Sequence, residues 1–178
     1  VNDVLIGDRT DDLAARCVRS LIDRGATLAV GESLTGGLLA DAFVRIPGAS
    51  QVFVAGLVTY TNSMKHALLA VSTDLLNREG AVHPDVALAM AGGVRQTTGA
   101  SVSLATTGVA GPGPADGHPA GRAYIAVMSP EFTAVREVNC DPGDQGTSQR
   151  NAIRRCVVYE AVALLAEALA VPNREKQM

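Results

Sequence analysis

The chain has 178 residues, of which 47% are apolar, and a formal net charge of -3. That length and composition fit one globular domain with an ordinary core, and the charge argues against a general nucleic-acid binder, which needs a basic face to neutralise phosphates. Aromatics make up only 3% with no Trp, so stacking platforms are scarce, and charges or glycines interrupt every apolar run before the ~20 residues that a membrane span requires.

The opening VNDVLIGDRTDD has no basic stretch followed by an apolar one, so no secretory signal is expected. Cys17, Cys140 and Cys156 are odd in number, far apart and form no CxxC, and the simplest reading is a reducing cytoplasm. Residues 9–24 place Leu13, Cys17, Leu21 and Ile22 at helical spacing, with Thr10 as N-cap and Gly25 as stop. TLAVGES (27–33) reads as a short buried strand that breaks at Glu32-Ser33, and TGG follows. LLADAFVRI gathers Leu38, Leu39, Ala42, Phe43 and Ile46 on one helical face and ends before Pro47-Gly48. QVFVAGLVTY (51–60) is β-branched and apolar and predicts a strand; NSMKHALLAV and STDLLNREG each predict a short helix.

Pro84 opens a longer helix, at a position where its missing N–H would go unpaired anyway. Gly92-Gly93 weakens that helix by roughly 1 kcal/mol per glycine relative to alanine, which points to close packing. SVSLATTG (101–108) is a strand ending in small polar residues, and GVAGPGPADGHPAG (108–121) is a loop of a length that is often functional. RAYIAVM and FTAVREVNC predict an antiparallel pair across Ser129-Pro130. From about Gln145 to Val171, Ile153, Val157, Ala161, Leu164, Leu165 and Ala168 share one face of a long terminal helix. Together these elements predict an α/β sandwich with a mostly parallel sheet and one antiparallel partner at an edge. No repeat or linker divides the chain, so one domain is expected over 1–178, with its core at about 10–171 and a tail at 172–178.

Three strands end in polar groups: Glu32-Ser33 with Thr35-Gly36-Gly37, Thr59-Tyr60-Thr61-Asn62 with Lys65, and Thr106-Thr107-Gly108. Ligands of open α/β sheets bind outside the carboxyl ends of strands. If these three strands are parallel neighbours, Ser33, Tyr60, Lys65 and Thr107 meet on one rim, and the helix opening at Thr35-Gly36-Gly37 turns its free N–H groups toward them as an oxyanion site. Serine needs a base, and Lys65 can act as one if burial lowers its pKa, with the Tyr60 hydroxyl relaying a proton or orienting the amine. Bland readings compete. ES-x-TGG can be a plain helix cap, a lone Lys is most often solvated, and the Gly/Pro run is neither a Walker A loop nor a GxGxxG turn. His66, His83 and His118 lack metal-ligand spacing.

GESLTGGLLADAFVRIPGAS, GLVTYTNSMKHALLAV, EGAVHPDVALAMAGGVR and TTGVAGPG follow one another at the spacing of the CinA C-terminal family, which the chain resembles over roughly residues 10–170. The resemblance implies a three-layer α/β/α sandwich and the activity characterised in that family, nicotinamide-nucleotide amidohydrolase, the NMN deamidase of pyridine nucleotide salvage and NAD metabolism. It also implies the stand-alone form, without the molybdopterin-binding-like domain of longer CinA proteins. By similarity Ser33 is the nucleophile, Lys65 its base, Tyr60 an assistant and Thr107 a further active-site hydroxyl. Substrate contacts are expected from Thr35, Gly36, Gly37, Gly108 and Gly111, and phosphate contacts from Arg150 and Arg154. Leu34 stands where the family usually has a small or polar residue, and His83 where a capping Ser is common. The chemistry requires no metal or organic cofactor.

The expected partner is a small-molecule substrate, nicotinamide mononucleotide, with no nucleic acid and no membrane. A homo-oligomer is expected from the family and from the small-residue stripe Ala87, Ala89, Ala91, Gly92 and Gly93. The competing reading is a non-catalytic pyridine-nucleotide sensor or a competence- or DNA-damage-related interaction module. An intact Ser/Tyr/Lys/Thr set argues against it, because a pure binder needs no base beside a hydroxyl.

Overall fold

In a computed structural model, which describes residues 3–141 and 146–170, five strands form one sheet with helices on both faces. The chain runs α1 (Asp3–Asp23), β1 (Leu28–Glu32), α2 (Leu38–Val44), a short 3₁₀ turn (Ala49–Gln51), β2 (Phe53–Val58), α3 (Asn62–Leu69) and α4 (Thr73–Glu79). It continues with α5 (Pro84–Thr98), β3 (Val102–Gly108), β4 (Arg122–Met128), β5 (Thr133–Asn139) and α6 (Gly146–Ala168). The expected tail at 172–178 lies outside the described residues.

The sheet order is β2-β1-β3-β4-β5. β1 pairs in parallel with both β2 and β3, while β4 runs antiparallel to β3 and to β5. The sheet is therefore mostly parallel, as expected, but the reversed strand is β4, one place inside the edge, because the β4–β5 hairpin carries β5 to the rim. β1 is buried along its whole length and is apolar up to Glu32 at its end, the pattern of a central strand covered on both faces. β2, at the edge, alternates between half-buried and exposed residues.

Each face of the sheet has its own core. On one side Leu21, Phe43, Leu104, Ile125, Ile153 and Leu165 tie α1, α2 and α6 to the strands. On the other, Leu69, Val86, Met90, Val94 and Ala105 join α3 and α5 to them. The expected small-residue stripe of α5 is used inside the chain: Ala87 and Ala91 are fully buried, and Gly93 lets α3 approach so closely that a Cβ there would stand 1.9 Å from the Leu69 carbonyl oxygen. Ala89 and Gly92, the other two residues of the stripe, are half-buried.

Two local expectations change. α1 begins at Asp3, so Thr10 is a buried residue inside the helix and does not cap it. The cysteines are not three separate thiols: Cys140, just after β5, is disulfide-bonded to Cys156 on α6, with a Cα–Cα distance of 6.2 Å. The pair is sixteen residues apart and is brought together only when α6 returns across the sheet. Cys17 remains a free, fully buried thiol, whose pKa burial pushes up to about 12. No helix among the described residues is long and apolar enough to cross a membrane.

Candidate active site

The carboxyl ends of β1, β2 and β3 are adjacent, with Glu32 in register with Val58 on one side and Thr106 on the other. The residues just past those ends share one rim, as the strand-end reading expects. Ser33 extends the ladder by one bond, its N–H donating to the Thr106 carbonyl at 3.1 Å, before the chain turns away. Across β2, Thr61 caps α3 by accepting from the Met64 N–H, and the first turn of that helix carries Lys65 inward.

Lys65 is 1% exposed. Its Nζ donates to the Ser33 Oγ at 3.0 Å and to the Thr59 carbonyl at 3.1 Å, with the Tyr60 carbonyl at 3.5 Å. Desolvation disfavours the ammonium and lowers the Lys65 pKa to about 8, and the Asp116 carboxylate opposes that shift more weakly. One turn beyond Lys65, α3 rests directly on α5, where Gly93 leaves room for the Leu69 carbonyl.

The turn that carries Ser33 is held by buried polar groups. Glu32 is fully buried, and its carboxylate accepts the N–H groups of Gly37 at 2.9 Å, Leu39 at 3.1 Å and Ala40 at 2.9 Å. The α2 N-terminus therefore already holds an anion, and that anion is internal. The Gly36 N–H is taken by the Ser33 carbonyl at 3.2 Å. The expected oxyanion donors at Gly36 and Gly37 are thus spent, and neither glycine lines the cavity. Thr35 is also turned inward, with its Oγ1 2.8 Å from the Thr106 Oγ1.

A cavity of about 390 Å³ opens above Ser33 and Lys65, lined in part by Leu34, Tyr60, Thr107, Gly108 and Gly111. That volume suits a small ligand. Arg150 and Asp116 supply its opposite charges. Arg150 spans the mouth: one guanidinium nitrogen donates to the Tyr60 hydroxyl at 2.8 Å and another to the Gly111 carbonyl. Tyr60 is 56% exposed and its hydroxyl bonds Arg150, not Lys65, so the amine is oriented by main-chain carbonyls. Thr107 lines the cavity, but its hydroxyl donates to the Ala81 carbonyl at 2.7 Å.

Arg154 does not line the cavity. Its Nε donates to the Leu34 carbonyl at 3.1 Å, one Nη to the Thr35 carbonyl at 2.7 Å and the other to Asn151 Oδ1 at 3.2 Å. The phosphate role expected of both arginines therefore fits Arg150 alone, since all three nitrogens of Arg154 are engaged inside the protein. His83 caps α5 through Nδ1, which accepts the Asp85 N–H at 3.2 Å. His66 Nδ1 pairs with the Val71 carbonyl at 2.9 Å. Among the described residues no cluster of His, Cys, Asp or Glu could hold a metal ion.

Glu32 and Asp116 were missed as site residues in the sequence. Glu32 had a signal: a carboxylate inside an apolar strand needs buried donors, and a helix start lies five residues on. Asp116 had none, because its place over the cavity depends on how the 108–121 loop folds back.

The sequence matches the profile of the CinA C-terminal domain over residues 10–169. A CinA-like protein of Frankia casuarinae is 44% identical over 170 residues, 95% of this chain and 38% of that protein. A putative competence-damage inducible protein of Desulforamulus reducens is 46% identical over 144 residues, covering 81% of this chain and 34% of its own length. The chain thus spans under half the length of these curated relatives. Among solved structures, the competence/damage inducible protein CihA from Agrobacterium tumefaciens is 34% identical with a TM-score of 0.82, covering 91% of this chain and 96% of that one. A CinA superfamily protein from Escherichia coli is 30% identical with a TM-score of 0.84, covering 94% and 93%. Profile, relatives and fold agree, and the chain belongs to the CinA C-terminal domain family.

Proposed function

We propose that this site deamidates nicotinamide mononucleotide to nicotinate mononucleotide and ammonia, with Ser33 as nucleophile and Lys65 as its base. The observation that carries the reading is the 3.0 Å contact between a buried lysine amine and a serine hydroxyl at the floor of a cavity. With a pKa near 8, part of the Lys65 population is uncharged at neutral pH and able to accept the hydroxyl proton.

In the first half-reaction Lys65 takes the Ser33 proton as Oγ adds to the carboxamide carbon. The tetrahedral oxyanion collapses, the C–N bond breaks, and the Lys65 ammonium returns the proton to the departing nitrogen as ammonia. The nicotinoyl ester left on Ser33 is then opened by water, Lys65 taking the water proton and returning it to Oγ. Glu32 and Ser33 already hold the N–H groups at the start of α2, so the oxyanion donors at hand are the N–H of Leu34, next to the nucleophile, and those of Ala110 and Gly111 across the cavity. The substrate carries a pyridinium cation and a phosphate, which match Asp116 and Arg150 respectively. These steps use no metal or organic cofactor.

The test is ammonia release from nicotinamide mononucleotide by the wild type and by Ser33→Ala, with calorimetry on the same samples. Release by the wild type and none by a folded Ser33→Ala is expected. Full activity of that variant removes Ser33 from the mechanism, and binding heat without product in the wild type favours the nucleotide-sensor reading.

A further inference from the structure

We infer that Arg154 is a positioning residue for the Ser33 nucleophile, acting by clamping the carbonyls of Leu34 and Thr35, and that it does not contact substrate. The inference builds on the serine-hydrolase reading of the site. The two carbonyls belong to the two peptide units that follow Leu34 and Thr35 in the turn after the nucleophile. Each is held by its own guanidinium nitrogen, at 3.1 and 2.7 Å. A peptide unit is planar and trans, so fixing its carbonyl also fixes the direction of its N–H on the opposite side. Consistent with this, the Gly36 N–H, opposite the clamped Thr35 carbonyl, is directed at the Ser33 carbonyl at 3.2 Å.

The guanidinium itself has little freedom. Its remaining nitrogen is bonded to Asn151 Oδ1 one helical turn back. Two residues further along α6, Cys156 is bonded to Cys140 at the end of β5, so the clamp is mounted on a helix covalently fixed to the sheet. Gly36 accommodates it from the other side: a Cβ at that position would stand 3.3 Å from an Arg154 Nη, and its φ of +56° is one that L side chains rarely adopt. Arg150, one turn earlier on the same face, reaches the cavity mouth. One helix thus presents two arginines with different tasks, Arg150 to the ligand and Arg154 to the main chain that carries the reacting oxygen. Lysine cannot replace Arg154, because a single ammonium lacks the planar fork that reaches two carbonyls and an amide together.

The experiment compares wild type, Arg154→Lys, Arg154→Ala and Arg150→Ala as full chains by two readouts. The first is the rate at which a fluorophosphonate labels Ser33, followed by mass spectrometry. The second is kcat and KM for ammonia release. Both Arg154 variants are expected to label about 100-fold more slowly and to lose about as much in kcat, with KM within about threefold of wild type, and added guanidinium ion should restore part of the Arg154→Ala rate. Arg150→Ala should instead act mainly on KM. Arg154→Lys keeps the test alive if the alanine variant does not fold. Wild-type labelling in a folded Arg154 variant, or a loss confined to KM, overturns the inference. So does a wild-type Ser33 that resists the reagent, since there would be no reactive hydroxyl to position. If the wild type is labelled but releases no ammonia from any nicotinamide compound, the proposed substrate falls and the labelling rates still decide the role of Arg154.

Discussion

The Nζ of Lys65 donates to the Oγ of Ser33 at 3.0 Å across thirty-two residues of sequence. The contact joins the first turn of α3 to the end of β1, and its chemistry depends on which partner holds the proton. Burial lowers the Lys65 pKa to about 8. Below that value the amine is charged and cannot accept the hydroxyl proton; above it, the base is available. We expect kcat/KM to climb about tenfold per pH unit on the acid side and to level off above about 8. Lys65→Arg, permanently charged, should lose roughly 10²–10⁴-fold at any pH. A flat pH–rate profile through this range would take Lys65 out of the proton transfer.

The side chains of Arg150 and Tyr60 bond each other at the rim of the cavity, and the Lys65 amine meets Tyr60 only at its main-chain carbonyl. Tyr60→Phe removes a hydroxyl that bonds Arg150 and not Lys65, so the pH profile should stay unchanged and kcat should fall less than about threefold. Arg150→Ala removes the cation proposed to meet the substrate phosphate and should raise KM by about 10- to 100-fold with a smaller effect on kcat. Steady-state kinetics on the two variants check both statements. A shifted pH optimum in Tyr60→Phe would return its hydroxyl to the proton path.

Glu32 satisfies three N–H groups from a fully buried position. Glu32→Ala deletes the acceptor and leaves those donors without a partner, at a cost of about 1–3 kcal/mol for each that water cannot reach. Glu32→Gln keeps one oxygen and sets an amide N–H₂ against a backbone donor, which should destabilise less. Urea unfolding of both variants should rank them wild type, then Gln, then Ala. An alanine variant as stable as wild type would show that solvent reaches the start of α2.

The Cys140–Cys156 bridge closes a loop of sixteen residues. A closure of that length stabilises the folded chain by about 3 kcal/mol through the entropy it removes from the unfolded state. Reduction with dithiothreitol, or Cys140→Ser, should lower the thermal midpoint by several degrees. Cys17, buried and held as a neutral thiol, should resist alkylation until the chain unfolds. An unchanged midpoint after complete reduction would show that packing alone holds α6 to β5.

Much of this architecture is legible in the sequence because strand and helix periodicities are local. The apolar runs at 27–33, 51–60 and 101–108 are strands close to where they were expected, and their adjacency brings Ser33, Lys65 and Thr107 together. The start of α1 was misplaced because an N-cap pattern at Thr10 competes with a helix that continues through it. The helix start after Ser33 shows the limit more clearly. A free N-terminus and one closed by Glu32 share the same local pattern, and only the side-chain path of Glu32 separates them. The disulfide, the bond from Tyr60 to Arg150 and the direction of Arg154 each join segments far apart in sequence, so no local rule specifies them.

Gly93 does not line the cavity, yet it meets α3 at Leu69, one turn beyond the buried amine of Lys65. Where any other residue would carry a methyl or more, this position carries a hydrogen, and the Leu69 carbonyl occupies the space. The seat of α3 on α5 is therefore set by a missing carbon atom. A side chain added there would pry two helices apart one turn from Lys65, and on the mechanism proposed above activity should fall although every residue facing the ligand stayed the same.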